Sequence, residues 1–281
     1  MQDKILVIGG TGKTGRKVVE KLQNKGIEVR IGSRSASPSF DWKKPEGWAT
    51  VLRGIDKVYI TFQPDLAVPG AKEAIEQLVS ESQKAGIKKL VLLSGKGERE
   101  AELCEQIVIN SGIGYTIIRA SWFSQNFSES FFLDPILAGH VATAQADIQI
   151  PFVDTDDISD VAVEVLLTDQ HNGQLYELTG ARTLNFREVI AEIAKATGRE
   201  IAFTPVSIEA YGKMLAEAGV PSDYVWLVNY LFAEVIGNPS VSEIKHDIEK
   251  VLGRKPKDFS TYVKETAASG VWTPKVNIPS A

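Results

Sequence analysis

The chain has 281 residues, with a hydrophobic fraction of 43% and a charged fraction of 24%, as is ordinary for a globular protein with a substantial core. Its formal net charge of −5 argues against direct binding to nucleic acid, which usually needs a basic face, and no apolar run reaches membrane-spanning length. A lone cysteine, Cys104, excludes an internal disulfide and fits a reducing compartment. With no signal-peptide pattern in the first residues, we expect a cytoplasmic protein that acts away from membranes.

A glycine-rich turn close to the N-terminus is the most informative pattern. The apolar strand Ile5 to Ile8 runs into glycines at 9, 12 and 15, and an amphipathic helix follows at once. This order suits a dinucleotide site, because the turn brings backbone N–H groups and a helix N-terminus close to a pyrophosphate. A purely structural glycine turn is the alternative. The residues predicted to hold the cofactor here are Gly9, Thr11, Gly12, Lys13, Thr14 and Gly15.

The end of the second predicted strand indicates which dinucleotide binds. A carboxylate about 20 residues past the glycines would take a ribose 2′-hydroxyl, whereas an arginine suits a 2′-phosphate. The segment from Glu28 ends in Ser33 and Arg34 with no carboxylate, and Glu28 comes too early. We therefore expect NADP, with NAD the less favoured cofactor. A solvated loop arginine is the alternative interpretation of Arg34.

Strands and helices then alternate, which predicts an α/β fold with a doubly wound parallel sheet of the Rossmann type. Strands are predicted over 57–62, 89–94 and 115–119, and helices over 71–86 and 98–111. Ligands of such sheets lie at the carboxyl ends of the strands. The predicted cofactor site is therefore extended by four strand-end residues: Phe62, Gln63, Pro64 and Ser94.

From residue 185 the pattern becomes mostly helical, which predicts a smaller C-terminal substrate lobe. Helices are expected over 186–197, 208–218, 222–236 and 241–252, with a short strand over 201–206. We assign residues 1–182 to the nucleotide-binding domain, with 124–150 extending toward the substrate lobe, and 183–281 to that lobe. The three histidines are scattered without ligand spacing, so no metal site is expected.

Several segments resemble the NmrA-like branch of the atypical short-chain dehydrogenase/reductases. The similarity spans nearly the whole chain, and its later segments look like the subgroup of festuclavine and agroclavine dehydrogenases. The segments that carry it are 9–16, 92–94, 111–119, 122–127, 153–158 and 252–259. The resemblance implies a Rossmann domain with a small C-terminal substrate region and a preference for NADP. Some members of this branch are reductases, and others sense the nucleotide and regulate a protein partner.

The chain lacks the pair of catalytic residues that ordinary members of the family use. Ordinary members use a Tyr-x-x-x-Lys pair, and the family's spacing places Gly97 and Ala101 at those two positions. Neither residue donates a proton, which argues against ketone reduction and against a sugar-nucleotide epimerase. Acceptors that take hydride readily, such as a quinone or an iminium ion, stay open. Lys96, just past a strand end, is the one candidate for a proton-supplying or electrostatic role.

An aromatic segment after the 115–119 strand is the candidate substrate pocket. Its residues are Trp122, Phe123, Asn126 and Phe127. The rings would form a wall beside the nicotinamide, or equally would pack the junction of the two domains. The leading hypothesis is an NADPH-dependent reductase of a small activated acceptor, and the alternative is a non-catalytic NADP(H) sensor with a protein partner.

Overall fold

The computed structural model describes residues 3–274 and divides into two compact units, each built from several stretches of the chain. Of the described residues, the first unit contains 3–121, Thr155–Thr179 and Lys245–Pro256. The second contains Trp122–Asp154, Gly180–Ile244 and residues 257–274. Within residues 3–274 no helix has both the length and the apolar character needed to cross a membrane.

The first unit is a six-stranded, wholly parallel sheet flanked by helices, in the order β2-β1-β3-β4-β5-β7. This arrangement confirms the predicted Rossmann fold. Its strands are β1 (Ile5–Ile8), β2 (Val29–Gly32), β3 (Lys57–Ile60), β4 (Lys89–Gly95), β5 (Gly114–Ala120) and β7 (Gln174–Leu178). Its helices are α1 (Gly15–Asn24), α2 (Trp48–Leu52), α3 (Ala71–Ala85), α4 (Arg99–Ile109), α7 (Thr155–Leu167) and α11 (Asp247–Leu252).

Side-chain alternation along the strands gives the sheet two buried faces. On one face Leu6, Val58 and Leu90 pack in a cluster with residues of α2, α3 and α4. The opposite face carries Tyr59, whose hydroxyl contacts Thr14 just before α1. Because neighbouring strands are parallel, all their carboxyl ends meet at one edge of the sheet. That edge holds the glycine turn.

Residues 245–256 belong to the first unit, which differs from the predicted boundary at 182/183. Arg254 explains their return, because its guanidinium group donates to Asp157 at 2.6 Å and to Asp160 at 2.5 Å, both on α7. The Gly-Arg-x-Pro segment therefore clamps α11 to α7. The sequence prediction missed this because the two acidic residues lie almost a hundred positions earlier.

The second unit is mostly helical and contains one two-stranded parallel sheet. Its strands are β6 (His140–Thr143) and β8 (Ala202–Pro205), and its helices are α5 (Asn126–Glu129), α6 (Leu133–Ala138), α8 (Phe186–Thr197), α9 (Ile208–Glu217), α10 (Ser222–Tyr230) and α12 (Phe259–Ala268). After α10 the chain continues as a π-helix over Leu231–Ile236. An aromatic core fills this unit.

The predicted helix over 241–252 is wrong in its first half. Pro239–Ser242 forms a 3₁₀ turn, and regular helix begins only at Asp247. The cause is tertiary: the backbone N–H of Lys245 donates to the hydroxyl of Thr179 at 3.0 Å, and that hydroxyl donates to the carbonyl of Lys245 at 3.1 Å. These two bonds take backbone groups that a continuous helix would have used.

Candidate functional site

The glycine turn is a tight backbone loop between β1 and α1. Gly9 has a φ of +75°, a conformation that favours glycine, and its carbonyl accepts from the N–H of Gly12 at 2.8 Å. A side chain at Gly15 would overlap the carbonyl of Gly9, so the helix starts in direct backbone contact with the turn. The N-terminus of α1 is thus held at the carboxyl edge of the sheet, where a helix favours an anion.

Two neighbouring strand ends lie beside this turn. The carbonyl of Gly32, the last residue of β2, accepts from the N–H of Gly9 at 2.8 Å, which brings Ser33 and Arg34 next to the turn. The amide nitrogen of Gln63 would lie 3.8 Å from a Cβ atom at Gly12. The structure therefore brings the predicted residues after β1, β2 and β3 together. Phe62 is half-buried, and Pro64 is exposed with Gln63.

Two predicted cofactor residues use their side chains elsewhere. The hydroxyl of Thr14 is buried and lies 3.2 Å from the hydroxyl of Tyr59. The hydroxyl of Ser94 donates to the carboxylate of Glu105 at 2.6 Å. Both hydroxyls therefore have partners within the protein, and a role of Thr14 and Ser94 in cofactor binding stays a prediction. Thr11 is exposed and Lys13 is half-buried at the turn.

Glu105 is the buried member of an ion pair that could not be predicted from the sequence. It has no exposed surface, and Arg119 at the end of β5 donates to both of its oxygens, with the closest contact at 2.6 Å. The carboxylate of Glu105 beside Arg119 raises the pKa of the guanidinium group. This pair, with Ser94, ties α4 to β4 and β5 just below the strand ends.

The two positions where a Tyr-x-x-x-Lys pair would stand, Gly97 and Ala101, have structural roles. Gly97 has a φ of +82°, so it forms a turn that favours glycine. Ala101 has no exposed surface and packs in the sheet core. Lys96 is only 7% exposed, and its backbone N–H donates to the carbonyl of Ala120 at 3.0 Å. A chemical role for the Lys96 amine stays a prediction.

A pair of carboxyl groups that could not be predicted from the sequence lies at the same edge: Glu98 is buried and Asp65 is half-buried. Asp65 follows β3 and Glu98 precedes α4, and their side chains are hydrogen-bonded to each other. Burial raises the pKa of both carboxyl groups, and the negative charge of Asp65 raises the pKa of Glu98 further. Their positions along the chain are the signal that could have identified them, because each is an acidic residue a few positions after one of two neighbouring strands.

The candidate substrate residues belong to the second unit. Phe127 has no exposed surface and stacks on Phe132 with ring centroids 5.0 Å apart, so its ring packs in the core of the second unit. Trp122 is half-buried, and its ring lies edge-on to Phe232 at 5.4 Å. Phe123 and Asn126 are half-buried. A substrate role for Trp122, Phe123 and Asn126 stays a prediction.

Among residues 3–274 no group of three or more histidine, cysteine or acidic side chains could hold a metal ion. The arrangement at the sheet edge instead suits a dinucleotide. Backbone N–H groups and a helix N-terminus would take its phosphates, and the exposed Arg34 follows the neighbouring strand β2 by two residues.

A comparison with known families agrees with this geometry. The family model described as NAD(P)H-binding matches residues 9–169, more than half of the chain. The chain belongs to the NAD(P)H-binding family. The match to the family begins at Gly9, within the glycine turn.

Curated relatives extend along nearly the whole of this NAD(P)H-binding protein. Prestalk A differentiation protein A of Dictyostelium discoideum is 29% identical, with 93% of this chain and 92% of the relative covered. The NAD(P)H azoreductase of Xenophilus azovorans and the festuclavine dehydrogenase of Aspergillus fumigatus are each 26% identical, with 94% of this chain and 98% of each relative covered. The predicted NmrA-like, clavine-dehydrogenase-like relationship is confirmed.

Solved structures share the fold at low sequence identity. An NADPH-dependent quinone oxidoreductase from Escherichia coli, in complex with NADPH, has a TM-score of 0.77 at 20% identity, with 93% of this chain and 99% of that chain covered. A Citrobacter triphenylmethane reductase in complex with NADP(H) has a TM-score of 0.75 at 19% identity, over 94% and 99%. The negative transcriptional regulator NmrA has a TM-score of 0.71 at 16% identity, over 96% and 98%.

Proposed function

We propose that this protein is an NADPH-dependent reductase that transfers hydride to a small, activated organic acceptor of the quinone or iminium type. The observation that carries the proposal is the glycine turn at the carboxyl edge of the sheet, in a chain of the NAD(P)H-binding family. Relatives and structural neighbours named for azo compounds, clavines, a triphenylmethane dye and quinones support this class of acceptor.

In this proposal the chain mainly binds and positions its reactants. Backbone N–H groups of Gly9–Gly15 hold the pyrophosphate, and Ser33 and Arg34 hold the 2′-phosphate. Bound NADPH supplies the hydride. Gly97 and Ala101 offer no side chain that would polarise a carbonyl, so the acceptor itself must be electron-poor. Rate enhancement then comes from orientation and exclusion of water.

The decisive experiment is an acceptor panel followed by the loss of NADPH absorbance. We expect the protein to oxidise NADPH when a quinone or a preformed iminium ion is the acceptor. Simple ketones and aldehydes should react more slowly by two to three orders of magnitude, because one missing donor to a developing oxyanion costs roughly 3–4 kcal/mol. Ketone reduction as fast as quinone reduction would contradict this acceptor class. Inactivity toward every acceptor, with tight binding that distinguishes NADPH from NADP⁺, would favour the sensor function instead.

Arg34→Ala tests the cofactor preference. Arg34 is exposed at the end of β2, and within residues 3–274 its guanidinium group has no ion-pair or hydrogen-bond partner, so it is available to a 2′-phosphate. We expect NADPH to bind the wild type more tightly than NADH. The variant should lose most of that difference, about 1.5–3 kcal/mol for a charge-assisted hydrogen bond. Titration of both nucleotides measures it.

Arg53→Ala is the matched control, because it removes another exposed arginine of the same unit that lies behind α2. This variant should keep the wild-type preference. Equal affinities of the wild type for NADPH and NADH would refute the assignment of Arg34.

A further inference from the structure

A cluster of four aromatic rings lies in the first unit, behind the ends of β2 and β3. Its members are Phe40, Trp42, Trp48 and Phe62. Phe40 and Trp48 are buried, and their rings stack with centroids 5.4 Å apart. Trp42 and Phe62 are only half-buried, and their ring centroids lie 4.6 Å apart. The cluster therefore has a buried base and a partly open aromatic wall, which consists of Trp42 and Phe62.

Hydrogen bonds hold Trp42 close to the glycine turn. Its indole N–H donates to the carbonyl of Thr61 at 3.3 Å. The hydroxyl of Thr61 donates to the carbonyl of Ile8 at 3.0 Å, and a Cβ atom at Gly9 would overlap that hydroxyl. Thr61 therefore contacts both the indole of the aromatic wall and the first glycine of the turn.

The orientation of the indole ring is fixed by its aromatic neighbours. The ring of Phe40 lies almost perpendicular to that of Trp42 at 5.0 Å, and the ring of Trp48 does the same at 5.5 Å. Phe62 is tilted against it by 45°. A side chain that is already held in place loses little freedom when a ligand stacks on it. The open part of the indole is therefore preorganised for a flat partner.

The backbone places the aromatic wall on the adenosine side of the dinucleotide site. The N–H of Phe40 donates to the carbonyl of Ser33 at 2.9 Å, so the segment that carries Trp42 returns to the end of β2. Ser33 and Arg34 are the proposed holders of the 2′-phosphate, which is attached to the adenosine ribose. The adenine base is attached to the same ribose. A half-exposed aromatic ring beside such a phosphate site suits a base, because every base has a π-face.

We propose that the adenine ring of the cofactor stacks on the aromatic wall, with Trp42 as the main contact. This inference rests on the proposed function for the identity of the nucleotide, and it adds a holder for the base. Stacking on the indole does not involve the 2′-phosphate. Trp42 therefore contributes affinity for the adenosine half of NADPH and NADH alike, whereas Arg34 distinguishes the two.

The test separates the two halves of the cofactor. Adenosine 2′,5′-bisphosphate carries the adenine without nicotinamide, and reduced nicotinamide mononucleotide carries the nicotinamide without adenine. In Trp42→Leu we expect the affinity for the bisphosphate to fall at least about tenfold, because a base loses its stacking partner. The affinity for the mononucleotide should stay at the wild-type value, which also shows that the glycine turn is intact. Isothermal titration calorimetry measures both affinities.

Two further variants separate stacking from a general effect of tryptophan loss. Trp42→Phe keeps a flat ring and should retain most of the affinity for the bisphosphate. Trp226→Leu is the matched control, because Trp226 is 47% exposed and stacks on Tyr230 within the second unit. This control should leave both affinities unchanged. Transferred NOEs between indole and adenine protons should appear in the wild type and in the control but not in Trp42→Leu.

Each result decides a different point. Wild-type affinity of Trp42→Leu for the bisphosphate would overturn the adenine contact. Equal losses of affinity for the two half-nucleotides would overturn it as well, since Trp42 would then only support the turn. A wild-type protein that does not bind the bisphosphate would contradict both this contact and the proposed cofactor. Binding through Trp42, without NADPH oxidation by any acceptor, would support the adenine contact and contradict the reductase alone.

Discussion

Gly12→Val is expected to abolish nucleotide binding while the protein stays folded. A Cβ atom at Gly12 would lie 3.2 Å from the carbonyl oxygen of Gly9 and 3.8 Å from the amide nitrogen of Gln63, which is tight but free of overlap. The valine side chain would then fill the space in front of the turn where a pyrophosphate must approach the backbone. We expect a loss of affinity of at least roughly 100-fold, about 2.8 kcal/mol. Nucleotide titration measures it, and circular dichroism checks the fold.

Gly15→Val is the matched comparison within the same turn. Its Cβ atom would overlap the carbonyl of Gly9, so this variant should lose stability as well as binding. A folded Gly12→Val protein with wild-type affinity would refute the location of the phosphate site. A Gly15→Val protein as stable as the wild type would show that the turn is looser than its backbone contacts imply.

Arg119→Ala is expected to lower the free energy of unfolding by about 3–5 kcal/mol. The substitution leaves the carboxylate of Glu105 fully buried without its cation, and an uncompensated buried charge is strongly destabilising. The hydroxyl of Ser94 would remain as a neutral donor, which is a weaker partner than a guanidinium group. Urea unfolding at neutral pH measures the difference.

Glu102→Ala provides the contrast, because Glu102 is exposed and lies 3.5 Å from the same guanidinium group. Exposed ion pairs contribute about 0–1 kcal/mol, so this variant should stay close to the wild type. Similar losses in the two variants would mean that burial does not govern the strength of the Arg119 network.

Many strands and helices of both units could be predicted from the sequence because the signals that start and end them are local. Apolar runs such as β4 are bounded by turn residues, and α8 begins with a complete capping box between Asn185 and Glu188. The break before α11 could not be predicted in this way. It depends on Thr179, whose partner Lys245 lies 66 positions further along the chain.

The same distinction between local and long-range signals applies to the residues of the candidate site. Residue types and strand ends identify Gly9–Gly15 and Arg34, because turn chemistry and charge are local properties. The direction of a side chain is not local: Ser94 turns toward Glu105, and Thr14 turns toward Tyr59. Asp65 and Glu98 each look like a solvated charge in the sequence. Only the pairing of β3 with β4 brings them together.

The interleaving of the two units has a consequence for how this protein is made. The chain passes from one unit to the other five times, so no single cut releases either unit intact. A ribosome that has finished β7 has not yet supplied Arg254, the clamp on Asp157 of α7. The sheet unit can therefore complete its native contacts only after most of the second unit has also been synthesised, and we expect the two to mature late and together rather than one after the other.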